Sequence, residues 1–144
     1  MYNYIQTFRR QGYSAMSPEK ESLILIAKAS RFTAAVNRRI AAFPATDQLV
    51  MVPVIRDTTL SLVEYVSFAM ADYHPSDRKN MILHSIKSLE QVHARLALCH
   101  KLRLLDEREY KDLEIMCESL GFELNKFAKD LDRAILSLEQ HTLN

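Results

Sequence analysis

Apolar positions along this chain fall into four long stripes separated by short polar breaks, and their spacing is helical. In the first stripe Leu23, Ile26, Ala27, Phe32, Val36 and Ile40 recur at roughly helical intervals. Ser17 can cap this helix, and Pro18 suits its first position, where a missing N–H leaves no bond unmade. Phe43-Pro44 ends it, because the residue before a proline is pushed out of the α region. The second helix starts within 49–52, since Pro53 is tolerated only in a first turn. Ile55, Leu62, Val66 and Met70 form its face, and His74-Pro75 closes it. The third opens at Ser76-Asp77 and runs through Ile82, Ile86, Leu89, Leu96 and Cys99 to Leu104. The fourth starts at a capping box, Asp106-x-x-Glu109, in which each residue's carboxylate can accept from the other's backbone N–H. Leu113, Met116, Cys117, Leu120, Leu124, Phe127, Leu131, Ile135 and Leu138 continue that helix as one stripe. Gly121 interrupts it at a cost of about 1 kcal/mol against alanine, which predicts a closely packed neighbour there. Residues 1–16 show no sustained period and are expected to be a tail or short extra element. Short connections make successive helices antiparallel, so 17–144 should be an all-α, up-down-up-down four-helix bundle.

Composition narrows this picture. Two glycines and four prolines in 144 residues are too few for the many turns of an all-β chain, and the length fits one domain. No apolar run approaches the roughly 20 residues needed to cross a bilayer. The N-terminal MYNYIQTFRRQGYSAM lacks the apolar core of a secretion signal. With Cys99 and Cys117 unpaired and without CxxC spacing, the expected location is a reducing cytoplasm. Both thiols are expected to act as small buried hydrophobes rather than nucleophiles.

The net charge of +1 hides blocks of opposite sign. Residues 1–46 hold seven basic and two acidic side chains, and 47–75 hold one and four. Residues 76–105 hold six basic and two acidic side chains, whereas 106–144 hold five and ten. The third helix therefore carries a basic face of Lys79, Lys87, Arg95, Lys101 and Arg103. That face can pair with the acidic fourth helix, or it can track phosphates with an affinity that falls as salt rises.

Motifs for chemistry are sparse. Gly12 and Gly121 cannot build a phosphate loop, and no HExxH, Cys/His cluster or nucleophile elbow occurs. Glu90 and His93 match an ExxH ligand pair once, but a di-iron bundle needs two such pairs and further carboxylates. No metal or cofactor is expected. An Arg-x4-6-His pattern, used by the all-helical HEPN ribonucleases, occurs as Arg78…His84 and Arg95…His100. There an imidazole would move the proton while the arginine stabilises phosphate charge.

The run Ala42-FPATDQLVMVPVIRDT-Thr59 resembles the opening of the Avd family, the accessory variability determinants of diversity-generating retroelements. These are related to the four-helix-bundle proteins of rRNA intervening sequences. The likeness continues through LSLVEYVSFAMADYHPSDRKNMILHSIKSLEQVHARL and ends in LRLLDEREYKDLEIMCESLGFELNKF, covering about residues 20–129. Gln48 stands where that family has an arginine. The resemblance implies a homopentameric ring without a catalytic site, binding a reverse transcriptase and its template RNA during mutagenic retrohoming. The basic residues it carries over are Arg38, Arg39, Arg56, Lys87, Arg95, Lys101 and Arg103. Leu25, Val50 and Phe122, off the stripes, are candidate subunit contacts. Two alternatives remain open: an interaction scaffold without nucleic-acid binding, and a ribonuclease built on the Arg/His pairs.

Overall fold

The computed structural model describes residues 18–71 and 74–143, so Ser17 and the 1–16 segment lie outside the described residues. Five helices follow in order: α1 (Pro18–Ala41), α2 (Ala45–Gln48), α3 (Met51–Ala71), α4 (Pro75–Lys101) and α5 (Glu107–Leu143). No strand occurs among the described residues. Helix α1 packs on α3 and α5, α4 packs on the same two, and α2 leans on α3. Contacts between neighbours run in reverse order along the two helices. Lys28 meets Glu123 and Arg39 meets Glu109, for instance, while Thr58 meets Arg95 and Ala69 meets Arg78.

The shared core holds Phe32, Val36 and Ile40 from α1, and Ile55, Leu62 and Val66 from α3. Helix α4 adds Ile82, Leu89, Val92 and Leu96, and α5 adds Leu113, Leu120, Leu124 and Leu131. Each such side chain contributes about 1.5–3 kcal/mol on burial, which outweighs helix propensity as the source of order.

The first half of the α1 stripe is out of phase with expectation. Leu25 and Ala29 are buried, whereas Leu23 and Ile26 face solvent. Leu25, at 1% exposure, is thus a core residue and not a subunit contact. The run Leu23-Ile24-Leu25-Ile26-Ala27 is apolar all round, so periodicity within it cannot choose a face. The buried positions 25, 29, 32, 36 and 40 fix it from further along the helix. At the other extreme, Leu138 is exposed. Lys126 meets Glu21 and Asp132 meets Lys79, so the end of α5 runs past the first turns of both neighbours.

Helix ends are closed by specific groups. Gln48 Nε2 reaches back to three carbonyls at the end of α1, Ile40 at 3.2 Å and Ala41 and Phe43 at 3.0 Å. The glutamine thus serves orphan acceptors that any helix C-terminus presents. Helix α4 stops at Lys101, three residues short of the expected Leu104. There Arg103 N–H donates to the His100 carbonyl, and Leu104 N–H donates to the Cys99 carbonyl. This pair of bonds is a Schellman motif, and it puts Arg103 at φ 61°, a conformation that usually falls to glycine.

The capping box at α5 is formed as its spacing predicts. Asp106 Oδ1 accepts from Glu109 N–H at 2.7 Å, and Glu109 Oε1 accepts from Asp106 N–H at 3.1 Å. The Glu109 N–H is the main reason that the Asp106 carboxyl lies below its ordinary range. Gly121 does not answer to a steric need. A Cβ there would meet Leu89 Cδ2 at 3.5 Å, an ordinary contact, so the close packing expected at this glycine is not required.

Candidate partner-binding surface

Helix α4 carries its polar groups on two flanks, because residues three, four or seven apart share a side. Lys79, His93 and His100 turn toward α5. There Lys79 pairs with Asp132, His93 Nε2 lies 3.5 Å from Glu114, and His100 Nε2 lies 2.9 Å from Glu107. The His100 ring also stacks on Tyr110, with centroids 4.5 Å apart and planes 5° from parallel. A hydrogen bond from the Tyr110 side chain holds the Glu114 carboxyl below its ordinary range, with His93 acting the same way. Burial, and then Glu114, raise Tyr110 in turn. Pairing with the acidic helix is therefore real on this flank.

The flank toward α3 is built differently. His84, Lys87 and Gln91 stand across from Asp57, Ser61 and Tyr65, around an open cavity of about 320 Å³. Thr58 and Ser88 complete its lining. Arg95 does not point outward; its Nη1 donates to Thr58 Oγ1 at 2.7 Å. The Tyr65 and His84 rings stack 5.0 Å apart at 21°.

The seven basic candidates separate accordingly. Arg39 is bonded to Glu109 at 3.1 Å, and Arg95 is half-buried against Thr58. Arg38, Arg56, Lys87, Lys101 and Arg103 are exposed and make no ion pair among the described residues. Three of them belong to one end of the molecule, the corner where α1 and α4 finish and α5 starts. Arg38 lies in the last turn of α1, and Lys101 and Arg103 flank the end of α4. The chain passes from α1 to α3 at this same end, where Leu49 and Val50 are exposed at 82% and 70%. Arg56 stands one turn into α3, and Lys87 lies apart, on the groove. Val50 and Phe122, the latter 68% exposed, remain free to make subunit contacts.

Neither Arg/His pair converges on a common point. Arg78 is buried, donates from Nε to the Ala69 carbonyl at 2.8 Å, and lies 5.4 Å over the Phe127 ring. It closes the C-terminus of α3, where the helix dipole favours a cation, while His84 faces the groove. Arg95 and His100 point to opposite flanks of α4. Cys99 and Cys117 are buried, and burial pushes both thiols up to about 11, far from the thiolate a nucleophile needs. Glu90 is exposed while His93 turns to Glu114, and no group of three metal-ligating side chains gathers among the described residues.

The groove was not foreseen from sequence. Its residues are single polar side chains on two helices, and only the register of α3 against α4 brings them together. No protein-family model and no curated protein matches the chain.

Proposed function

We propose that this chain is a non-enzymatic accessory protein of a diversity-generating retroelement, binding a reverse transcriptase and its template RNA to support mutagenic retrohoming. In this reading its four long helices form an antiparallel up-down-up-down bundle, five copies close into a cytoplasmic ring, and Val50 and Phe122 contribute subunit contacts. The observation that carries the proposal is the sorting of charge. Three acids of α5 pair with cations of neighbouring helices: Glu123 with Lys28, Glu109 with Arg39, and Asp132 with Lys79. Such half-exposed pairs add about 0–1 kcal/mol each to stability and offset part of the acidic block at the surface. Arg38, Lys101 and Arg103 are left free at the corner. A chain of near-neutral total charge can thereby present a local cationic site.

Binding of a structured RNA by fluorescence anisotropy across a salt series tests the nucleic-acid part. Binding should weaken with rising salt, and Lys101→Glu with Arg103→Glu should lower it and flatten the salt slope by about one unit per lost contact. A salt-independent or unchanged affinity would remove RNA from the proposal. Light scattering that finds a monomer would remove the ring. The scaffold alternative draws on one observation, the exposed Leu49 and Val50, and predicts a protein partner without RNA affinity.

A further inference from the structure

The groove between α3 and α4 has no aliphatic side chain in its lining, which is unusual for a seam between two core-packed helices. Its volume of about 320 Å³ suits a small ligand or one unit of a larger one. One end holds the Asp57 carboxylate, with the Arg95 guanidinium bonded to Thr58 next to it, and the other holds the Lys87 ammonium. Asp57 is exposed on α3, Lys87 is exposed on α4, and neither makes an ion pair among the described residues. Thr58 meets Arg95 and Tyr65 meets His84, so Lys87 stands level with the turn of α3 just before Tyr65. At 1.5 Å of rise per residue, the backbones of Asp57 and Lys87 are offset by about 9 Å along the groove.

The floor between them is made of hydroxyls. Ser61 donates to its own helix at the Asp57 carbonyl, which leaves its oxygen able to accept. The Thr58 hydroxyl is fixed by two bonds, one given to Val54 and one received from Arg95. Ser88 is buried at the groove floor beside Lys87 and makes no hydrogen bond among the described residues.

We propose that this groove binds a ribose phosphate. Lys87, with the Ser88 hydroxyl and the His84 imidazole, holds the phosphate. Asp57 accepts hydrogen bonds from the sugar's vicinal hydroxyls, a pairing that a carboxylate makes and an amide or hydroxyl makes less strongly. The offset of the two residues along the groove is on the scale of a ribose phosphate with one hydrogen bond beyond each end. A bare anion would leave Asp57 unused, and an uncharged sugar would leave Lys87 unused. Either source, a free nucleotide or the 3′-terminal residue of an RNA strand, presents the same group.

The test is an amide-shift titration of the labelled full chain with ribose 5-phosphate, AMP and inorganic phosphate. Ribose 5-phosphate should shift Ser61, His84, Lys87 and Gln91 and leave the α1–α5 seam unmoved. Lys87→Glu should weaken that binding at least about tenfold. Asp57→Ala should weaken ribose 5-phosphate but not inorganic phosphate. Both positions are exposed, so the fold should survive, and an unchanged far-UV spectrum checks it. Tighter binding of oligoadenylate with a free 3′ end than of AMP assigns the unit to the end of a strand, and the reverse order assigns it to a free nucleotide. Absent shifts at millimolar ligand, or shifts that persist in Lys87→Glu, overturn the proposal. The corner cations are untouched by these variants, so failure here leaves the RNA test at Lys101 and Arg103 standing.

Discussion

The two ends of the molecule use charge in opposite ways. At the corner where α4 gives way to α5, charged groups lie at the surface and are met by hydrogen bonds. Asp106 and Glu109 cap a helix, Arg39 joins Glu109, and His100 joins Glu107. The carboxyls of Asp106 and Glu114 accordingly sit below their ordinary range. At the far end, charges are drawn inside. Arg78 is buried under α5, and burial lifts the carboxyls of Glu21 and Asp130 above their ordinary range. The corner leaves several cations free at the surface, whereas the far end buries a guanidinium against the end of α3 and holds two carboxyls in partly buried places.

The largest test of that contrast is Arg78→Ala. It leaves the Ala69 carbonyl at the end of α3 without its donor, removes a cation from the Phe127 face, and opens a gap between α3, α4 and α5. These losses should total about 3 kcal/mol in urea unfolding, with RNA affinity of the folded protein unchanged. A cost within error of zero would mean that the buried guanidinium is a passenger.

A smaller and opposite effect is expected at the corner. Arg103 holds a left-handed conformation that a side chain enters at a penalty of about 1–2 kcal/mol and glycine enters freely. Arg103→Gly should therefore stabilise the protein by about 1 kcal/mol while lowering RNA affinity. If stability rises and binding holds, the arginine is not part of the binding surface, and the division between the two ends loses its functional half.

Most of this fold could be read from the chain, and the exceptions have physical reasons. The capping box and the start of α3 at Met51, two residues before Pro53, follow from rules that act within one or two turns. The four-residue α2 escaped because one turn has no periodicity, and the end of α4 escaped because its C-terminal stop uses arginine in place of glycine. The buried role of Leu25 was hidden by an apolar run that offers two faces at once. The site was less legible still. A basic helix is visible in the sequence, but the division of its cations between Asp132, Thr58 and solvent depends on which helix lies on each side. The groove needs the α3–α4 register, which no local pattern encodes.

The smallest effect, and the most direct probe of the far end, is at Glu21. Its carboxyl is raised first by burial and next by Asp130, while Lys126, 4.0 Å away, opposes them. A carboxyl that binds its proton more tightly folded than unfolded contributes most at low pH. That contribution is lost as pH rises from its unfolded value through its folded one. At neutral pH the ionised Glu21 therefore works against folding, and Glu21→Gln should raise Tm there. Below the unfolded value both proteins carry a neutral group, so the two Tm curves should meet. The corner acids predict the reverse. Asp106 and Glu114 stabilise above their unfolded values and lose that contribution as pH falls through the folded ones, so Asp106→Asn should lower Tm at pH 7 and matter less in acid. Parallel curves for Glu21→Gln and wild type across this range would show that Lys126 fully offsets the burial. The two ends would then differ in geometry but not in the sign of their electrostatics.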